Sequence, residues 1–200
     1  MKIESLTYLK NFVESSNSYC GNSKIISIDG PAGSGKTTLS KSLQNKFLNC
    51  FVIHMDEIYE GWENALSDEL FQNLENWIIK PVKENTPIIY YKYDWISASR
   101  QQKVEINDYK FIIIEGVGSS NLRTRTYSCL KIWIEANPAI TLNMVLNRDG
   151  QHILEEMKTW QEKEKSYFAQ HEVKNHSDIW VDGNFSQELD TSTHFKLVNR

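Results

Sequence analysis

The chain has 200 residues, of which 40% are hydrophobic and 24% charged, and its formal net charge is −4. This composition is typical of a single soluble globular domain with a core of ordinary size. The negative charge gives no general attraction to nucleic acid or to an anionic membrane, so we expect neither as a partner.

The N-terminal segment predicts a short amphipathic helix, because Leu6, Leu9 and Val13 recur at helical spacing. Lys10 and Glu14 interrupt the apolar residues, so no signal peptide is expected. The three cysteines are widely separated and form no C-x-x-C pair. We therefore expect no zinc site and no disulfide framework, and a cytoplasmic setting.

The segment Gly30–Thr38 reads Gly-Pro-Ala-Gly-Ser-Gly-Lys-Thr-Thr and follows an apolar run. It has the G-x-x-x-x-G-K-T pattern of a phosphate-binding loop, in which backbone N–H groups point at phosphate oxygens. Lys36 adds a positive charge and the hydroxyl of Thr37 suits magnesium; a merely flexible glycine turn is the alternative. The residues predicted to bind the triphosphate, ATP in our hypothesis, are Gly30, Ala32, Gly33, Ser34, Gly35, Lys36, Thr37 and Thr38.

Strands and helices alternate along the rest of the chain. Several runs, such as Phe111–Ile114, are apolar throughout, which is typical of a parallel sheet covered on both faces. The alternation predicts a three-layer α/β fold of the P-loop NTPase type with a mainly parallel sheet. The predicted strands span 24–29, 51–55, 88–93, 110–115, 130–135 and 178–182. The predicted helices span 36–48, 66–80 (ended by Pro81), a segment that begins at Pro138, and 153–168.

One segment departs from this alternation: residues 88–106 predict a β-hairpin, with Ile88–Tyr93 paired to Lys103–Ile106. From about residue 184 the chain is polar, and we expect this tail to be poorly ordered. Residues 1–200 are predicted to form one domain.

Acidic residues follow two predicted strands, Asp56 after 51–55 and Glu115 after Phe111–Ile114. Ligands gather beyond the carboxyl ends of parallel strands, so we expect both acids beside the phosphate loop, in reach of magnesium. A solvated loop acid (Asp56) and a capping or turn residue (Glu115) are the alternatives. His54 is expected to point away from Met55 and not to be a metal ligand.

Asp56 also bears on the acceptor. A hydroxyl acceptor must lose a proton, so a base within hydrogen-bond reach helps, whereas a phosphate acceptor requires arginines. Between Asp56 and Glu115 the chain has one arginine, Arg100. This favours a neutral hydroxylated acceptor, while the lysines in the same interval keep a nucleoside monophosphate open as the alternative.

Four segments, in order, resemble the uridine kinase and phosphoribulokinase group of P-loop kinases, especially compact bacterial uridine kinase-like proteins. They are Gly30–Thr38 and residues 55–59, 93–100 and 113–116. Residues 147–149 look like the start of that group's lid, here about 148–158, and 177–181 like its last strand. The resemblance covers about residues 24–183.

The resemblance implies roles for the matching residues. Asp56 would be the base that receives the acceptor's proton, and Glu115 would join Thr37 around magnesium, with Asp56 touching the ion through water. Arg148 would stabilise the transferring phosphoryl group from the lid. Tyr59, Tyr93, Asp94 and Arg100 would line the acceptor pocket.

This sequence departs from the resemblance at two points. The hairpin of the pyrimidine nucleoside kinases of this group carries a base-reading histidine where this chain has Ala98. The lid of these kinases is also longer and richer in arginine than the segment 148–158, which offers only Arg148 and Lys158. The reaction type therefore carries over, and the identity of the base does not.

Other aromatic and polar residues complete the prediction. Trp62 and Trp95 are expected to stack on a substrate ring, and the other four tryptophans to lie in the core. Glu162–Lys165 are expected on a solvated helix face, and His171 on the surface.

The sequence thus predicts an ATP- and magnesium-dependent kinase that phosphorylates a hydroxyl of a nucleoside or related ribosyl compound, with Lys36, Asp56 and Arg148 as catalytic residues. Two alternatives stay open: a nucleoside monophosphate kinase, and a nucleotide-binding switch without an acceptor.

Overall fold

The computed structural model describes residues 2–184 and 189–198. Its strands are β1 (Lys2–Ser5), β2 (Lys24–Asp29), β3 (Cys50–His54), β4 (Ile88–Asp94), β5 (Ser99–Ile106), β6 (Phe111–Glu115), β7 (Ser128–Glu135), β8 (Ile179–Asp182) and β9 (His194–Leu197). Its helices are α1 (Leu6–Ser15), α2 (Lys36–Gln44), α3 (Gly61–Asn64), α4 (Asp68–Leu74), α5 (Lys80–Glu84), α6 (Pro138–Asp149) and α7 (Leu154–His171).

Seven strands form one sheet in the order β1-β9-β8-β7-β2-β6-β3. The central strands β3, β6, β2, β7 and β8 run parallel to their neighbours, whereas β9 and β1 are antiparallel additions at one edge. α-Helices lie in the connections from β2 to β3, from β3 to β6 and from β7 to β8, whereas turns and a short 3₁₀ helix connect β6 to β7. The predicted α/β fold with a mainly parallel sheet is confirmed.

Each face of the sheet has its own hydrophobic core, because successive side chains of a strand point to opposite faces. Ile25 and Ile112 pack on one face together with α4, α5 and α7. Ile26, Ile28 and Ile113 pack on the other face with α1 and α2. All five isoleucines are fully buried. This double burial explains why β2 and β6 are apolar throughout instead of alternating.

The helix predicted over 66–80 is displaced and longer than expected. Helical structure begins at Asp68 and continues past Pro81 to Glu84. Immediately before the proline, Glu75–Ile79 forms a π-helical turn, in which the N–H of Lys80 donates to the carbonyl of Glu75. Proline has no N–H to donate to the preceding turn. The wider π-helical turn changes the hydrogen-bond pattern at this point, so the helix continues through Pro81.

Strands β4 and β5 form the predicted hairpin as a separate two-stranded sheet, with Ile88 opposite Ile106. A bulge between Lys92 and Tyr93 shifts the register near the tip. Ala98 stands in the tight turn with φ of 49°. The bulge and turn aim the tip of the hairpin toward the end of β3.

The expectation of a poorly ordered tail is wrong for residues 194–197, which form β9 between β8 and β1. Phe195 of this strand is 3% exposed and packs in the core next to α1. Residues 185–188, 199 and 200 of the tail lie outside the described residues. No helix within residues 2–184 and 189–198 is long and apolar enough to cross a membrane.

Candidate active site

The phosphate loop connects the end of β2 to the start of α2. Gly35 precedes the helix with φ of 92°, a left-handed conformation that lets the loop turn its N–H groups inward. Gly33 has φ of 78°, and a Cβ there would lie 2.5 Å from the carbonyl oxygen of Thr141 on α6. Glycine is therefore required at both positions for the loop to lie between the sheet and α6.

Lys36 lies inside this loop and is 8% exposed. Its Nζ donates to the carbonyls of Gly30 at 2.8 Å and Pro31 at 2.7 Å. Burial lowers the pKa of Lys36, while the carboxylates of Glu164, Glu115, Asp29 and Asp56 raise it. A charged amine bound only to neutral carbonyls at the base of the loop can turn toward a phosphate anion.

Glu115 ends β6 directly opposite His54, the last residue of the neighbouring strand β3. Its Oε1 accepts a hydrogen bond from Thr37 Oγ1 at 2.8 Å and lies 2.5 Å from His54 Nδ1. Burial opposes ionisation of Glu115, but the contacts with His54 and Thr37 and the charge of Lys36 leave its pKa below the ordinary value. Glu115 is thus a buried carboxylate held ionised. The contact with His54 was not anticipated from the sequence.

Asp56 lies in the short 3₁₀ turn after β3. Its side chain opens to solvent, yet partial desolvation and then the negative charge of Glu115 raise its pKa. Within the part of the chain that the structure describes, its carboxylate has no hydrogen-bond or ion-pair partner, whereas its carbonyl accepts from Trp95 Nε1 at 3.0 Å. The carboxylate is therefore available to a ligand.

Oxygen ligands around Glu115 fit a magnesium ion. Thr37 Oγ1 and the carboxylates of Glu115 and Asp56 are the hard donors that this ion prefers. Among residues 2–184 and 189–198, no three His, Cys, Asp or Glu side chains are grouped so as to hold a metal alone. Magnesium in phosphoryl-transfer sites uses one or two carboxylates together with phosphate oxygens and water, so this sparse protein ligand set is the expected one.

A cavity lies beside the phosphate loop. Ser34 is 1% exposed, and its Oγ has no hydrogen-bond partner within the described residues. Such an unsatisfied buried hydroxyl points to a missing ligand. The cavity is lined on its apolar side by Leu39, Ile134, Val181 and Phe195, and on its loop side by Ser34, Gly35 and Thr38. Phe195 belongs to β9, which the sequence did not predict.

Beside Asp56, helix α3 and the hairpin together present an aromatic surface, here called the aromatic wall, made of Trp62 of α3 and of Tyr93 and Trp95 of the hairpin. The ring centroids of Trp95 lie 5.2 Å from those of Trp62 and 5.4 Å from Tyr93. Trp62 is 38% and Trp95 39% exposed, so each offers a ring face or edge to a ligand. Through Trp95, the wall contacts the main chain of Asp56.

Arg100 holds the hairpin in this position and does not point into an open pocket. Its guanidinium donates to the carbonyls of Ile58 at 2.6 Å, Tyr59 at 3.1 Å and Tyr91 at 2.9 Å. It also lies over the ring of Trp77 at 5.0 Å. Both terminal nitrogens of Arg100 donate to the main chain, so the structure shows a bracing role for Arg100 where the sequence predicted a lining residue of the acceptor pocket.

Two other residues predicted for the pocket also have structural partners. Tyr59 is 5% exposed, and its hydroxyl donates to the carbonyl of Val117 at 2.5 Å. Asp94 Oδ1 accepts from the N–H groups of Ile96 and Ser97 and so fixes the hairpin turn. Tyr59 belongs to the core beneath the wall and Asp94 to the turn above it.

Arg148 lies in the last turn of α6, where its guanidinium donates to the carboxylate of the adjacent Asp149 at 2.7 and 2.6 Å. Its side chain is 69% exposed. The predicted lid, 148–158, consists of this helix end, the residue Gly150, a 3₁₀ turn and the start of α7. Arg148 is close enough for its charge to lower the pKa of Asp56.

Two buried carboxylates at the phosphate loop escaped the sequence analysis. Asp29, the last residue of β2, is fully buried and accepts from the N–H of Gly30 at 2.8 Å and the hydroxyl of Tyr167 at 2.8 Å. Glu164 of α7 is 3% exposed and accepts from the N–H of Ala32 at 2.7 Å. The expectation that Glu162–Lys165 are solvated is therefore wrong at Glu164.

His171 was expected on the surface but is 7% exposed. Its ring lies between Phe71 and Tyr167, with centroids 5.0 and 4.7 Å away, and its Nδ1 accepts from the N–H of Leu122. Burial lowers its pKa, so it acts as a neutral core residue.

Known proteins resemble this chain in sequence and in fold. No protein-family model matches the chain. The uridine kinase of Borreliella burgdorferi (strain ZS7) is 32% identical over 138 residues, which are 63% of this chain and 67% of that protein. The uridine kinase of Borrelia garinii subsp. bavariensis is 33% identical over the same shares. The structure of a "Possible Uridine Kinase" from Bacillus stearothermophilus shares the fold, with a TM-score of 0.62 and 18% identity over 88% of this chain and 96% of that one.

The parallel sheet, the phosphate loop and these relatives define a P-loop kinase, an enzyme that transfers a phosphoryl group to an alcohol. Within that class, the chain belongs to the uridine kinase family.

Proposed function

We propose that this enzyme transfers the γ-phosphoryl group of ATP, with magnesium, to a hydroxyl of a nucleoside or related ribosyl compound. The observation that carries the proposal is the carboxylate of Asp56, which has no partner among the described residues. It lies close enough to Glu115 for that charge to raise its pKa, and the main chain of Asp56 contacts the aromatic wall through Trp95. The donor, the metal ion and the acceptor would then meet at the carboxyl ends of β3 and β6.

The donor would bind through the residues of the loop. The N–H groups of Gly33–Thr38 would hold the phosphates, with Lys36 turning from the carbonyls of Gly30 and Pro31 to a phosphate oxygen. Its nucleoside would occupy the cavity beside Ser34 and Leu39. Magnesium, held by Thr37, Glu115 and, through water, Asp56, would offset the charge that develops on the transferred group.

The acceptor would bind against the aromatic wall with its hydroxyl at Asp56. The hydroxyl oxygen attacks the γ-phosphorus as its proton passes to an Asp56 carboxylate oxygen, and the bond from the γ-phosphorus to the bridging oxygen breaks, which leaves ADP. A raised pKa suits Asp56 to receiving this proton. Arg148 would leave Asp149 to stabilise the transferred phosphoryl group.

A neutral acceptor is favoured over a nucleoside monophosphate because the cations near the wall are engaged. Arg100 binds main-chain carbonyls, and Lys92 Nζ lies 2.5 Å from a carboxylate oxygen of Glu57. A phosphate acceptor would need such groups free. Membership of a kinase family also removes support for a switch without an acceptor. The cytoplasmic setting remains a prediction, made from three cysteines that are all buried and unpaired.

The test is a product screen with [γ-³²P]ATP against uridine, cytidine, purine nucleosides, their monophosphates and simple sugars. We expect a labelled monophosphate from at least one nucleoside. Asp56→Asn should lower kcat by about 10²–10⁴-fold through loss of the base, with little change in the KM for ATP, since the phosphate loop is unaltered. Phosphorylation of monophosphates only, or full activity in Asp56→Asn, would contradict the proposal.

A further inference from the structure

Helix α7 contacts both halves of the site. Glu164 Oε1 accepts two hydrogen bonds, one from the N–H of Ala32 in the phosphate loop at 2.7 Å and one from the indole of Trp160, one turn earlier, at 2.6 Å. One carboxylate oxygen therefore joins the front of the phosphate loop to an aromatic ring of α7.

Trp160 in turn contacts the acceptor side. Its ring centroid lies 5.8 Å from that of Trp62, in edge-to-face geometry, and Trp62 contacts Trp95 at 5.2 Å. Trp95 donates to the carbonyl of Asp56. An unbroken series of contacts thus runs from Ala32 through Glu164, Trp160, Trp62 and Trp95 to the proposed base.

The carboxylate at position 164 carries an electrostatic cost. Glu164 is almost fully buried and faces a loop built to bind an anion, and its charge opposes the binding of a triphosphate. An apolar side chain would avoid the cost of burying a charge but would leave the N–H groups of Ala32 and Trp160 without this acceptor. What an apolar side chain cannot supply is a shared acceptor that fixes Ala32 and Trp160 relative to each other.

We propose that Glu164 is a positioning residue that, through Trp160, couples occupancy of the phosphate loop to the arrangement of the aromatic wall. The inference rests on the proposed function in that the wall is where the acceptor binds. A triphosphate that displaces the front of the loop would move Ala32, and the shared carboxylate would pass this movement to Trp160 and so to Trp62 and Trp95. The enzyme would then form its acceptor surface in response to the donor.

The test follows ¹⁹F resonances of the full chain labelled with 5-fluorotryptophan, each of the six tryptophans being assigned by its substitution with phenylalanine. The probe is the non-hydrolysable analogue AMP-PNP with magnesium, at saturation. In the wild type we expect the Trp62 and Trp95 resonances to shift. Both shifts should be lost in Glu164→Ala, which removes the acceptor, and in Trp160→Phe, which keeps a ring but removes the indole N–H.

Glu164→Gln is the matched control, because its amide oxygen can accept both hydrogen bonds, and it should keep the shifts. Thermal unfolding and AMP-PNP affinity are measured for every variant, since a purely packing role would lower stability while leaving the shifts intact. Shifts that persist in Glu164→Ala and Trp160→Phe, shifts lost in Glu164→Gln, or an unresponsive wall in the wild type would each overturn the coupling. Failure of the wild type to bind AMP-PNP would instead overturn the donor site of the proposed function, and the coupling with it.

Discussion

The Nδ1 atom of His54 lies 2.5 Å from the same Glu115 oxygen that accepts the hydrogen bond of Thr37. The pair forms because His54 and Glu115 are opposite each other in the register of two parallel strands. The pKa of His54 is raised mainly by this contact. A histidine in this position orients the carboxylate proposed to hold magnesium, as partners of metal ligands commonly do.

We therefore predict that His54→Ala weakens magnesium binding without removing the nucleotide site. The magnesium concentration needed for half-maximal AMP-PNP binding should rise by about 10–100-fold, the usual cost of losing such a partner. Calorimetric titration of AMP-PNP at graded magnesium concentrations measures the effect. His176→Ala, at an exposed histidine that contacts Glu172 and not Glu115, is the control. An unchanged magnesium requirement in His54→Ala would contradict this role for the pair.

The amino-acid sequence was sufficient to predict those structural elements of the candidate site that depend on a local pattern of residues. The phosphate loop between β2 and α2, the acids at the ends of β3 and β6, and the hairpin all follow from runs of neighbouring residues. The contact of His54 with Glu115 depends on the relative register of two strands, which no local pattern contains. The bracing of Arg100 likewise depends on where the hairpin folds.

The burial of Glu164 and the strand β9 were not predicted, although the sequence contains a periodic pattern that indicates each of them. Position 164 lies four residues after Trp160 and four before Phe168, so it continues the apolar stripe of α7. Its residue type, a glutamate between lysines, predicted a solvated face instead. In the tail, Phe195 and Leu197 alternate with polar residues, which is the pattern of a strand with one buried face. In both cases periodicity was the better guide than polarity.

We predict that Arg100→Lys destabilises the hairpin although it keeps the charge. A lysine cannot donate to several main-chain carbonyls at once in the planar arrangement of a guanidinium. Loss of these partly buried bonds should lower the free energy of unfolding by about 1–3 kcal/mol. Urea unfolding measures the change, with Arg123→Lys, at an arginine that is 43% exposed, as the control. Equal stability of Arg100→Lys and the wild type would show that the carbonyls are satisfied in another way.

Asp29 should give the stability of the protein a specific pH dependence. Burial raises its pKa from 3.8 to about 6, although the N–H groups of Ser120 and Gly30 and the hydroxyl of Tyr167 favour its ionised form. The folded protein holds this proton more tightly than the unfolded chain. The contribution of Asp29 to the free energy of unfolding is therefore greatest below pH 4 and is lost as the pH rises to about 6, by on the order of 3 kcal/mol.

Asp29→Asn removes this titration, so the difference in stability between wild type and variant should decline across that pH interval and stay constant above it. Urea unfolding at a series of pH values measures this difference. Glu156→Gln, at an exposed carboxylate of α7, should show no such decline. A difference between wild type and Asp29→Asn that is independent of pH would show that Asp29 is not held protonated by the fold.

The final prediction concerns β9, the strand in the tail that the polar composition of this segment did not indicate. Phe195 is 3% exposed, lies with its ring centroid 6.5 Å from that of Tyr8 on α1, and lines the cavity proposed for the donor nucleoside. Phe195→Ala should lower the free energy of unfolding by about 3–5 kcal/mol through the cavity that it leaves. It should also weaken AMP-PNP binding, because one wall of the nucleoside cavity is lost, whereas Phe195→Leu should largely keep both properties. Urea unfolding measures the change in stability, and calorimetric titration measures the change in AMP-PNP affinity. If Phe195→Ala is destabilised but its AMP-PNP affinity is unchanged, the donor nucleoside binds elsewhere.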